Sequence, residues 1–102
     1  MRNRYHVRYT KKCIAKLQEI GTLEQLDPVL SKLEHDLSIK PYEFPLIPDR
    51  PNWGIATTGR HYKKGSGLAI PGLRFYFAIV EQRMRVWIID VKLNFQDRAL
   101  YM

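Results

Sequence analysis

The chain has 102 residues, is 45% hydrophobic and 12% aromatic, and carries a formal charge of +7 from 17 Lys and Arg against 10 Asp and Glu. That length accommodates one compact domain, expected to span 1–102, and the apolar content excludes wholesale disorder. No apolar run nears the roughly 18 residues that cross a bilayer, the single Cys13 cannot make an internal disulfide, and no Cys/His spacing has the form of a zinc site, so membrane-spanning, disulfide-scaffold and zinc-module classes fall away.

The first ten residues, "MRNRYHVRYT", are polar and lack the form of a signal peptide, so the expected location is the cytoplasm. From Arg4 to Thr10 the pattern alternates, with Tyr5, Val7 and Tyr9 on one side and Arg4, His6, Arg8 and Thr10 on the other; this is a half-buried strand. The period then changes. In "TKKCIAKLQEIG" the residues Cys13, Ile14, Leu17 and Ile20 make one helical stripe, with Thr10 placed to cap its start and Gly21 its end. Cys13 reads there as a small core residue.

Thr22 and Gln25 have the spacing of a capping box, and Leu23, Leu26, Leu30, Leu33 and Leu37 form the stripe of a second helix, with Val29 beside it. Pro28 suits the first helical position after an Asp27 cap, which predicts a short turn before the main helix. Two short-linked amphipathic helices make a hairpin that has to lie on another layer. Prolines 41, 45, 48 and 51 then impose an extended surface connection.

"WGIATTGRHY" reads as a strand, and "KKGSGLAIPG" as a flexible basic loop broken by Gly65, Gly67 and Gly72. Two strongly apolar strands follow in "GLRFYFAIVEQRMRVWIIDVKLN", joined near "EQRM", and the tail "FQDRALYM" has weak helical character. The expected fold is α+β: an N-terminal strand, a helical hairpin, then a three-stranded antiparallel meander. The first strand joins the sheet at an edge or beside the last, and the helices cover one sheet face.

Charge is not spread evenly. Residues 1–51 hold nine basic and seven acidic side chains, whereas residues 52–102 hold eight basic and three acidic. A basic excess on the sheet half suits a polyanionic partner such as nucleic acid or an acidic protein. Within "LRFYFAIV", Leu73, Phe75, Phe77 and Ile79 share the core face, so Arg74 lies with Tyr76 and Ala78 on the uncovered one. Position alone leaves two roles for Arg74. It either pairs across the ladder with Glu81 or Asp90, or presents its guanidinium for two parallel hydrogen bonds to a phosphate.

The order of elements, "YHVRYTKKCIAKLQEIG", the leucine-striped second helix, and above all "GLRFYFAIVEQRMRVWIIDVKLN" resemble the RelE/ParE superfamily of bacterial type II toxins. In that family an arginine sits early in the third strand after a Gly-containing loop, which is the place of Arg74. The resemblance implies a toxin held inactive by a cognate antitoxin protein. It implies, first, a RelE-like, metal-independent and cofactor-free endoribonuclease that cuts mRNA on the ribosome. The alternatives are a ParE-like inhibitor that binds DNA gyrase without cutting, and a non-toxic RelE-fold binding module.

Internal RNA cleavage needs a base for the 2′-hydroxyl, charge stabilisation at phosphorus and an acid for the leaving oxygen. The resemblance places Arg74 at the phosphate and Tyr101 as a C-terminal group that stacks or donates a proton; His61, in "GRHYKKG", is a candidate base or acid by its residue type. Arg60, Lys63, Lys64 and Arg98 are the expected RNA contacts. Trp87 shares a face with Arg83, Arg85 and Ile89 and reads as a contact for the antitoxin or for a homodimer partner. Lys92, counted by strict alternation with Val86, Ile88 and Asp90, points to the core side or the edge.

Overall fold

The computed structural model describes residues 4–62 and 69–94. The elements in chain order are β1 (His6–Tyr9), α1 (Lys11–Ile20), α2 (Leu23–Ile39), β2 (Trp53–Thr57), β3 (His61–Tyr62), β4 (Ala69–Ile70), β5 (Leu73–Val80) and β6 (Arg85–Leu93), with 3-10 turns at Pro41–Glu43 and Glu81–Arg83. The expected α+β architecture is present. Four strands form one sheet in the order β1-β6-β5-β2, in which β2, β5 and β6 are the antiparallel meander and β1 adds parallel to β6.

Both helices begin where the caps were expected. The Thr10 hydroxyl accepts from the Cys13 N–H at 3.2 Å, and Thr22 and Gln25 bond reciprocally at 3.1 and 3.0 Å. Pro28 does not restart the second helix: α2 runs unbroken through it from Leu23 to Ile39. The lost backbone bond falls at the Glu24 carbonyl, on an exposed stretch near the helix start where water can replace it, and the leucine stripe anchors both sides.

That stripe packs into a core shared by both helices and the sheet. Cys13, Leu17, Leu26, Leu30, Leu33 and Leu37 meet Leu73, Phe75, Phe77, Ile79, Val86 and Ile88 in one cluster, with Tyr5, Val7 and Tyr9 packed at its margin. Burial pushes the Cys13 thiol up to about 11, so it is an inert core group. Gly54 matters to this packing, because a Cβ there would stand 2.4 Å from Phe77 Cζ. The bare backbone of β2 lets the ring lie flat beneath it, where Phe44 meets it edge-on at 5.8 Å.

Two features depart from the sequence reading. The proline-rich connection borders β2: the Ile47 N–H donates to Trp53 O at 2.8 Å, the Ile55 N–H to Pro45 O at 2.9 Å, and Leu46 bridges Gly54. The strand expected over 53–62 is also divided: β2 ends at Thr57, and His61 and Tyr62 pair with Ile70 and Ala69 of the expected loop in a separate two-stranded ribbon.

The β5–β6 hairpin closes through the Glu81–Arg83 turn and Met84, which takes the left-handed conformation (φ 50, ψ 51). The Glu81 carboxylate accepts the Tyr5 hydroxyl at 2.6 Å and the Tyr42 hydroxyl at 2.8 Å. Burial and that hydrogen bond raise Tyr5 to about 12, so the pair is a structural latch with no proton to give at neutral pH.

Candidate functional site

Burial alternates along β5 without a break: Leu73, Phe75, Phe77 and Ile79 are buried, while Arg74, Tyr76, Ala78 and Val80 are half-exposed on the opposite face. Arg74 therefore opens onto the face opposite the buried one. It stands between Thr57 of β2 and Lys92 of β6 in the sheet register.

The two carboxylates that could have neutralised Arg74 are engaged elsewhere. Glu81 holds the two tyrosines, and Asp90 holds Lys16 of α1 at 2.7 Å. Among the described residues none forms a side-chain hydrogen bond or ion pair with Arg74. Its guanidinium is a positive charge on a rigid strand, its donors unspent among the described residues.

Lys92 reaches the same face through a β-bulge. Tyr76 pairs with Asp90 and Phe77 with Ile88, so Ile89 has no partner on β5. Before the bulge the inward residues of β6 are Val86 and Ile88; after it the inward residue is Val91. The one-residue change of phase turns Asp90 and Lys92 outward, and Lys92 becomes the direct cross-strand neighbour of Arg74. Directly paired positions have Cβ atoms about 5 Å apart. The Lys92 ammonium also lies 5.7 Å from the Tyr76 ring centroid.

The rest of the open face is basic and aromatic. Arg8 of β1 pairs with Trp87, Arg85 lies beyond it, and Trp53 and Ala78 complete that row. Asp90 is the acid within this set, and it is held as an anion. Burial pushes its carboxyl up, but the Lys16 hydrogen bond, the Val91 N–H and the charges of Lys16 and Lys12 outweigh this and leave it below the ordinary carboxylate value. A carboxylate of that kind does not serve as a general acid near neutrality.

Of the other sequence-derived candidates, only the side chain of Arg60 is described. Arg60 is exposed beyond the end of β2, where it lines a cleft with Val29, Lys32 and Asp36 of α2. His61 is placed by its backbone in β3, but its side chain lies outside the described residues, as do Lys63, Lys64, Arg98 and Tyr101. The outward positions of β2 are Trp53, Ile55 and Thr57, none of which is a proton-transfer group at neutral pH. The described site is thus a cationic column, Arg74 with Lys92, beside an aromatic floor. Among the described residues no group of three His, Cys, Asp or Glu side chains could hold a metal ion.

No family model matches the sequence, and no curated protein matches it. Solved structures do match the fold. The RelBE2 toxin–antitoxin complex from Mycobacterium tuberculosis contains a chain 22% identical, with a TM-score of 0.64 over 89% of this chain and 92% of that one. The intact E. coli RelBE complex matches at 14% identity and TM-score 0.57, over 88% of this chain and 96% of that one. An arginine double mutant of the E. coli toxin RelE in the free state matches at 15% identity and TM-score 0.55, over 96% and 90%. The fold of this chain is the RelE-like toxin fold.

Proposed function

We propose that this protein is the toxin of a type II toxin–antitoxin pair and that it cleaves mRNA in the manner of RelE, on the ribosome, with its open sheet face as the RNA surface. The observation that carries the reading is Arg74: an arginine with no intramolecular partner among the described residues, fixed on a rigid strand beside Lys92. The RelE-like fold supports it.

In this reading the scissile phosphate sits on the Arg74–Lys92 column. The guanidinium forms two parallel hydrogen bonds to the non-bridging oxygens, and the ammonium adds charge as negative charge develops at phosphorus. The 2′-hydroxyl attacks that phosphorus and the 5′-oxygen leaves. His61 and Tyr101 remain the proposed proton-transfer groups, with Arg60, Lys63, Lys64 and Arg98 holding the flanking backbone. An antitoxin that covers the basic face would silence it by charge complementarity.

Primer-extension mapping on a translated message tests the reading. Wild-type protein should produce discrete breaks, and Arg74→Ala should not. An intact message with the wild type, or equal breaks with Arg74→Ala, would remove the nuclease assignment.

A second reading is favoured by one observation, the outward face of β2, whose Trp53, Ile55 and Thr57 supply no base. It is a RelE-fold protein that binds without cutting, with DNA gyrase as the target in the ParE-like case. Growth arrest with intact message and accumulated gyrase–DNA cleavage complexes would select it.

A further inference from the structure

Next to the Arg74–Lys92 column the open face is indented by a cleft of about 320 Å³, within the size range of small-ligand sites. Its apolar lining is two planar rings, Trp53 and Tyr76, with Ile47 and Ile89. Its rim is cationic, with Lys12 from α1, Arg50 from the proline-rich connection and Lys92 itself. The Arg50 guanidinium stacks on Trp53 with its carbon 4.9 Å from the ring centroid, so one wall is a planar surface carrying positive charge. Planar aromatic surfaces beneath a cationic rim fit a planar ring attached to a phosphate. Tyr76 is two residues beyond Arg74 on the same face, a step of about 7 Å that matches the pitch from one nucleotide to the next.

Asp90 adds an element of choice. It lines the cleft, and its side chain is only 18% exposed. One carboxylate oxygen, Oδ1, accepts from both Lys16 Nζ at 2.7 Å and the Val91 N–H at 2.9 Å. These two bonds fix the group, and no described residue donates to the second oxygen, Oδ2. An ionised carboxylate only accepts hydrogen bonds. Cytosine, adenine and guanine each carry an exocyclic amino group that can donate to it. Uracil has only its N3–H, flanked by two carbonyl oxygens whose lone pairs would face the carboxylate.

We infer that this cleft is a base pocket for the nucleotide adjoining the phosphate on Arg74, and that Asp90 selects amino-bearing bases against uracil. The inference rests on the RNA reading above and specifies which substrates that site takes. Trp53 and Arg50 supply stacking for any base, Lys12 and Lys92 hold the backbone, and Asp90 discriminates.

Fluorescence anisotropy with end-labelled 2′-O-methyl hexamers, which cannot be cleaved, tests it on the intact protein at one fixed salt concentration. The hexamer of cytidine should bind about tenfold more tightly than the hexamer of uridine. Asp90→Asn, whose amide can donate, should bring that ratio close to one. Lys16→Met removes the lysine and keeps the carboxylate, so it should retain the preference; this separates recognition from a structural effect of losing the ion pair. Trp53→Ala should weaken both hexamers about tenfold, and Trp53→Phe should restore most of the loss. Equal affinity of the wild type for both hexamers, binding of neither, or a ratio unchanged in Asp90→Asn would overturn the pocket. Cytidine preference without mRNA cleavage would support the pocket and remove the nuclease. Cleavage with equal hexamer binding would do the reverse.

Discussion

Leu73, Phe75, Phe77 and Ile79 differ from Arg74, Tyr76, Ala78 and Val80 by one residue of phase along a single strand. The first set is fully or nearly fully buried under α1 and α2, and the second faces a surface that no helix among the described residues covers. Side chains on the inner set lose volume or position when changed, and the fold loses stability with them. The outer set includes Arg74, which the described residues leave unpaired, so its removal takes little from the folded state. The contrast separates residues that hold the fold from residues that the fold holds out to a partner.

The sharpest way to break this contrast is to change one residue of each set. Phe77→Ala should cost about 3–5 kcal/mol of stability, read from the urea midpoint, because it empties a fully buried ring site. The fraction that remains folded should cleave normally. Arg74→Ala should do the opposite, lowering message cleavage by at least about 100-fold while the thermal midpoint stays near that of the wild type. Loss of stability in Arg74→Ala would mean that the arginine has a structural partner after all.

Gly54→Ala probes the boundary between the two sets. Its new Cβ would meet the Phe77 ring at 2.4 to 2.9 Å, so the ring has to shift. The expected cost is about 1–3 kcal/mol, with cleavage following the folded fraction. The smallest effect belongs to the Lys16–Asp90 pair at the bulge. The folded-state carboxyl of Asp90 lies below its ordinary 3.8, so the stability it contributes is present above that value and lost as pH falls through the lower folded value. Lys16 is 35% exposed, so solvent screening limits the effect to about 1 kcal/mol. Thermal midpoints of Lys16→Met and wild type should differ at neutral pH and converge as the pH falls below the lowered carboxyl value of Asp90.

The inner face of β5 was legible in the sequence because alternation there is unbroken, and the placement of Arg74 followed from it. The same rule failed one strand later. In "VWIIDVK" the apolar residues are nearly continuous, so nothing in the pattern marks Ile89 as the extra residue, and strict counting puts Lys92 on the side of Val86. Only the pairing with β5 reveals the change of phase. Pro28 misled for a related reason: a proline argues for a helix start locally, but the capping box at Thr22 and the leucines on both sides outweigh one missing backbone bond. The Asp90–Lys16 contact joins residues 74 positions apart and had no local sign at all.

The proline-rich border of β2 has a consequence for how copies of this chain meet. A strand at the rim of a sheet is a template on which a second molecule can polymerise. Here that rim is occupied by Pro45–Ile47, and neither Pro45 nor Pro48 has an N–H with which to continue a ladder. Among the described strands, any growth of the sheet from one copy into another would fall to the opposite rim, β1, which ends at Tyr9 opposite Ile88. Molecules joined there would leave the Arg74–Lys92 column clear of the seam, so self-assembly and access to a phosphate chain need not compete.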